Sequence, residues 1–180
     1  MRSVLARVLR VHTDERAWRV GAEGEELVGH QLDKLVKHGW TVLHDVPVGD
    51  RGSNIDSIAI GPGGVFTINA KYHWGKNVWC HGDTVKVGGF NQPYVRNSRH
   101  EARRAARLLE AVVGFPVPVA GIVAIISEHR TVKSQPADAA VRIMGPRETR
   151  SYLAHLPVVL GEEQVDRIAS AARRSTTWQP

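Results

Sequence analysis

The segment IDSIAIGPGGVFTINAKY, Ile55 to Tyr72, constrains the fold more than any other part of the chain. Two apolar, β-rich runs flank a glycine- and proline-rich turn, the pattern of a β-hairpin. Successive side chains in a strand point to opposite faces, so Asn69 and Lys71 share one face. A turn at Pro62 to Gly64 then sets Asp56 opposite the far end of the second strand, near Asn69 to Lys71. Burying an acid, an amide and an ammonium is costly unless they pair or bind something. The hairpin therefore predicts a polar cluster at one end of a sheet.

The remaining elements follow from periodicity and turn chemistry. Apolar spacing predicts a helix from Ala17 to Lys37, with Val20, Leu27, Gln31, Leu32, Leu35 and Val36 as its stripe, stopped at Gly39. WTVLHDVPV, from Trp40 to Val48, reads as a strand, and Gly49 to Asn54 as a loop. NVWCHGDTVKVGG reads as a second short hairpin turning at Gly82-Asp83. Pro93 opens a helix that runs to about Val113, with Ala102, Ala105, Leu109 and Val112 inward. VPVAGIVAIIS is a continuous apolar run, expected as a central strand buried on both faces. AVRIMG adds a strand, and Glu162 to Arg174 closes the chain as a helix. This order predicts an α/β (α+β) domain with a mixed sheet and helices on both faces. The expected organisation is a basic segment over residues 1–16 and a single domain over 17–180.

Composition removes several function classes. The 180 residues are enough for one domain with its own core. The single cysteine, Cys80, excludes an internal disulfide framework and a multi-thiolate zinc site. His73, Cys80 and His81 match no zinc spacing. No G-K-[ST] follows the glycine turn, so it is no phosphate loop, and Ser127 and His129 lack a nucleophile elbow. The chain shows no membrane-length apolar run and no signal-peptide pattern, so the expected setting is soluble and cytoplasmic. A net charge of +6 favours polyanionic partners.

The polar cluster suits metal-assisted phosphodiester cleavage. Carboxylates hold a hard divalent cation through oxygen, and a lysine beside them orients water and offsets developing charge. The first helix offers Glu23, Glu25 and Glu26 as a further carboxylate, and helix phase alone does not select among them. The plainer alternative is an Asp56–Lys71 ion pair that serves structure only.

Three motifs together carry a family resemblance: GAEGEELVGHQL at Gly21 to Leu32, NIDSIAIGPGGVFTINAKYHWGK at Asn54 to Lys76, and NQPYVRNSRHEARRAARLL at Asn91 to Leu109. They resemble the NERD (nuclease-related) domain, within the PD-(D/E)xK superfamily, over a core of about residues 17–127. The resemblance implies a restriction-endonuclease-like fold and cleavage of DNA with Mg²⁺ or Mn²⁺. It implies Glu25 as the helical glutamate, Asp56 as principal metal ligand, Asn69 at the acidic position of (D/E)xK, Lys71 as its lysine, and Gln92 near a substrate contact. Asn69 departs from the pattern. With it, Glu25, Asp56 and Lys71 carry a net charge of −1, where an acid would leave −2. The alternative reading is a nucleic-acid-binding module with weakened or lost catalysis.

Arg96, Arg99, Arg103 and Arg107 recur at helical spacing and form a candidate phosphate-contacting stripe, against the plainer reading of a solvated helix face. Tyr72, His73, Trp74 and Trp79 are candidates for stacking on bases, or for packing at a strand edge. The expected partner is DNA or another nucleic acid. The oligomeric state is open, a homodimer included.

Overall fold

The computed structural model describes residues 21–49, 52–133, 135 and 140–179. The basic segment 1–16, Val20 and the expected helix start at Ala17 lie outside the described residues.

Residues 21–32 form helix α1, which continues as a 3-10 helix over Asp33–His38 and ends at Gly39, held at φ 78°. Strands β1 (Thr41–Val48), β2 (Ser53–Gly61) and β3 (Gly64–Tyr72) follow. Next come β4 (Asn77–His81), β5 (Thr84–Val87) and β6 (Phe90–Gln92), then helix α2 (Tyr94–Val113). The chain finishes with β7 (Val119–Ile126), β8 (His129–Val132), β9 (Val141–Met144), α3 (Pro146–Ala154), α4 (Glu162–Ala172) and α5 (Ser175–Trp178).

The main sheet has five strands in the order β1-β2-β3-β7-β9. Its first three pair antiparallel, while β3–β7 and β7–β9 pair parallel. The expected mixed sheet is therefore present. The hairpin closes at Gly61 opposite Gly64, and Gly64 takes φ 122°, where a side chain would be strained. On one face, Val28 and Leu32 of α1 pack with Phe66, Ile68, Ile122 and Leu153. On the other, Leu109 of α2, Ile168 of α4 and Trp178 pack on Ile58 and Ile60. Helices thus cover both faces, and β7 is buried from Gly121 to Ile126.

Several details differ from the sequence expectation. Leu27 and Val36 are exposed, and the buried stripe of α1 runs through Gly24, Val28 and Leu32 instead. An i, i+4 stripe containing a glycine carries little hydrophobic signal, which displaced the expected phase. Val112 is exposed and Val113 takes the inward position on α2. A second sheet, ordered β6-β5-β4-β8, holds the expected Gly82-Asp83 hairpin. Strands β6 and β8 and helices α3 and α5 are short elements whose sequences carry weak periodicity.

Candidate functional site

The site begins where β2 and β3 separate. Their last paired residues are Ser57 and Ile68, so Asp56 sits one step beyond the ladder. Asp45 on the neighbouring β1 adopts φ 49°, and the β1–β2 register passes from His44–Ser57 to Val46–Ile55 around it. Strand ends that splay in this way leave backbone donors free for side chains. One is used at once: the Ala70 N–H donates to Asp56 Oδ2 at 2.8 Å.

Lys71 Nζ lies 3.9 Å from the same Asp56 oxygen. It donates to Asn69 Oδ1 at 3.3 Å and to the Ala70 carbonyl at 2.9 Å. Asn69 turns its amide nitrogen the other way and donates to Glu101 Oε1 of α2 at 2.5 Å. The orientation of that amide is fixed by chemistry. Lys71 can only donate and so meets the oxygen; an ionised carboxylate can only accept and so meets the nitrogen. Asp56, Asn69, Lys71 and Glu101 are thereby one connected network.

Glu101 is the residue that sequence reasoning missed. In the sequence it stands amid four arginines of the α2 stripe and reads as their counter-charge. At about 100° per residue, Arg96, Arg99, Arg103 and Arg107 lie some 120–160° around α2 from Glu101. The helix thus turns its acid to the sheet and its arginines away. Ser98, one turn before Glu101, seats against Gly121 of β7, where the lack of a Cβ makes room. That close approach brings α2 down onto the sheet and carries Glu101 to β3.

Glu25 arrives from the opposite face. Gly24 allows α1 to pack on β3, because a Cβ there would sit 3.0 Å from the Tyr72 Cβ. Glu25 itself is exposed and lines, with Asp45, Asp56 and His44, a cleft of about 330 Å³. Burial raises the carboxyl pKa of Glu25, Asp56 and Glu101. The Asp56 charge raises Glu25 and Glu101 further, whereas Lys71 acts against the rise in all three. For Asp56 the Ala70 N–H also opposes it.

The other expected residues fall around this centre. Gln92 is on β6, its amide donating to the Phe90 carbonyl at 3.2 Å. Arg96 and Arg103 are exposed, while Arg99 is held by Asp83 at 2.5 Å. His73 stacks on Tyr94, with Nε2 2.8 Å from the phenol oxygen, and Lys71 Nζ stands 5.9 Å from that ring's centre. Trp79 is flanked by His81, and Lys86 lies over its ring. Cys80 is buried and His81 exposed, on opposite faces of β4. Across the cleft, His44 Nδ1 is 2.9 Å from Ser57 Oγ and its Nε2 is 3.0 Å from Asp33 Oδ1. Ser57 is 3% exposed, so this chain braces β1 and offers no nucleophile.

A mixed sheet flanked by helices, with an acid, a lysine and a second acid at its splayed edge, defines a restriction-endonuclease-like α+β domain. The sequence model of the NERD family, the nuclease-related domain, matches residues 20–126, and the chain belongs to that family, which is placed in the PD-(D/E)xK superfamily. No curated protein and no solved structure matches the chain.

Proposed function

We propose that this chain is a nuclease that hydrolyses phosphodiester bonds of DNA with Mg²⁺ or Mn²⁺. The observation that carries the reading is the Asp56–Lys71 pair at the open end of the hairpin, with Asn69 between Lys71 and α2.

The donor chemistry fits a hard divalent cation. Asp56, Glu25 and the Asn69 amide present oxygen, the ligand type such ions take. Among the described residues, no three Asp, Glu, His or Cys side chains are gathered tightly enough to hold an ion by themselves. Mg²⁺ suits such an arrangement, because it keeps several waters and takes only one or two carboxylates from a protein. Asp56 would be the main ligand, with Glu25 and Asn69 beside it. When bound, the cation supplies charge neutralisation at the phosphoryl oxygen and a water of lowered pKa.

The protein's own groups do the positioning. The Ala70 N–H fixes the Asp56 carboxylate in one orientation. The Asn69 and Ala70 oxygens hold Lys71 Nζ beside Asp56, its third donor facing that carboxylate at 3.9 Å without a direct hydrogen bond. That donor can meet an attacking water or a non-bridging phosphate oxygen, where a fixed cation stabilises the charge that develops. The expected nucleic-acid contacts, Gln92, Arg96, Arg99 and Arg103, lie outside this centre and would position substrate.

The test is a cleavage assay on plasmid and single-stranded DNA with Mg²⁺ or Mn²⁺. Lys71→Ala is expected to lower the rate by roughly 10²- to 10³-fold, the scale of losing one preorganised charge-stabilising donor. Turnover that is unaffected by Lys71→Ala sinks the reading. Salt-sensitive DNA binding without turnover in the unmodified protein favours the alternative that Asn69 invites, a binding module on a nuclease fold.

A further inference from the structure

We propose that Glu101 supplies the second carboxylate of the metal site, in place of the acid that the (D/E)xK pattern puts at position 69. The inference rests on the nuclease reading above and names a ligand that the family pattern does not.

Position 69 is where the strand would ordinarily contribute charge. Here it holds a neutral amide, and that amide points its nitrogen at a carboxylate 2.5 Å away. A carboxylate at position 69 would face Glu101 at that same separation, where two like charges repel strongly. Asn69 and Glu101 are therefore complementary: an amide on the strand is what allows an acid to stand on the helix. The charge missing from β3 reappears on α2. Glu25, Asp56 and Glu101 against Lys71 leave a net charge of −2, the value that an acidic residue 69 would have given.

A second observation points the same way. Thr67 lies two residues before Asn69, on the same face of β3, and is fully buried. Its hydroxyl has no hydrogen-bond partner, although it lies beside the Glu101 carboxylate. Buried hydroxyls without a full hydrogen bond are uncommon in native proteins, and one placed beside a carboxylate marks a place with polar capacity to spare. Asn69 occupies Oε1 of Glu101, and the Thr67 hydroxyl stands beside the same carboxylate, drawing its pKa down without closing a full hydrogen bond.

Isosteric exchange separates a ligand from a structural partner. Mn²⁺ binding is measured by calorimetry and by the electron paramagnetic resonance of free Mn²⁺ on the wild type, Glu101→Gln, Asp56→Asn and the double variant Asn69→Asp/Glu101→Gln. Melts without metal come first and show which variants are folded. The double variant keeps both side-chain shapes and the hydrogen bond, with donor and acceptor reversed, and returns the charge to β3. Glu101→Gln is expected to weaken Mn²⁺ binding by at least roughly 10–100-fold, the range seen when even an outer partner of a metal ligand is removed. The double variant is expected to recover most of it, because it returns a carboxylate to the same place in the network. If Glu101→Gln binds as the wild type does while Asp56→Asn does not, Glu101 is only a partner of Asn69 and the nuclease reading stands. A folded double variant that fails to bind also overturns the proposal. If the wild type binds no better than Asp56→Asn, the nuclease reading itself fails, and the proposal with it.

Discussion

At the scale of single residues, the identity at position 69 decides the character of the site. An amide there can give to Glu101 and accept from Lys71 at once; neither Asp nor Glu can do both while ionised. Asn69→Asp, which changes charge without changing shape, is thus expected to place two carboxylates in direct opposition. The metal-free protein should lose about 1–3 kcal/mol, the cost of turning a half-buried charge-assisted hydrogen bond into an unmet pair. Urea denaturation in EDTA checks the loss, and added Mn²⁺ should return much of it, since a cation bound between the acids stabilises only the folded form. A midpoint unmoved by the substitution would mean that the amide and Glu101 do not meet in solution. Asn69 and Lys71 were legible from period-two alternation, and Asp56 from the register of the glycine turn. Glu101 was not, because its neighbours in sequence are arginines while its neighbours in space are not.

At the scale of elements, the hairpin and the two helices that flank it set the site, and they were read with unequal success. The β2–β3 hairpin was plain, since alternation and the glycine turn agree. The phase of α1 was not, since Gly24 and Val28 form its buried face with too little apolar area to outweigh Leu27 in the sequence. Helix α3 shows how an unexpected element is stabilised. Burial acts to raise the Glu148 carboxyl pKa, but the Gly145 N–H and the Arg130 guanidinium outweigh it and hold the group below its ordinary 4.5. A carboxyl whose folded pKa is depressed contributes stability that is present above its unfolded pKa and lost as pH falls through the folded one. Glu148→Gln should accordingly destabilise the protein at pH 7 by under about 1 kcal/mol, because the side chain is largely exposed. The difference from wild type should vanish on acidification below the ordinary carboxylate range. Chemical denaturation at neutral and acid pH measures it; a gap that persists in acid would assign the effect to packing.

At the scale of the whole molecule, charge and topology act on different parts of the function. The net charge of +6 resides partly in the α2 arginines, which turn away from the acids at the sheet edge. One helix therefore carries both signs on separate faces, so a polyanion can be attracted without neutralising the site. If the stripe contacts phosphates, substituting Arg96 and Arg103 by alanine should weaken DNA binding across all sequences. The slope of log K against log[salt] should then flatten by about 0.9 for each lost contact. An unchanged slope would return the stripe to the role of a solvated face. Among the described residues no helix is long and apolar enough to cross a membrane. What the sequence determined by itself was local: the hairpin, the helix after Pro93, the buried central strand, and the convergence of Asp56, Asn69 and Lys71. Each follows from the period of a single element or from the register of one tight turn. What the tertiary structure decided was the fourth member of that cluster. Glu101 is 32 residues from Asn69, and only the seating of α2 against Gly121 brings the two together. Contacts across such separations depend on how whole elements pack, a quantity that no local pattern encodes.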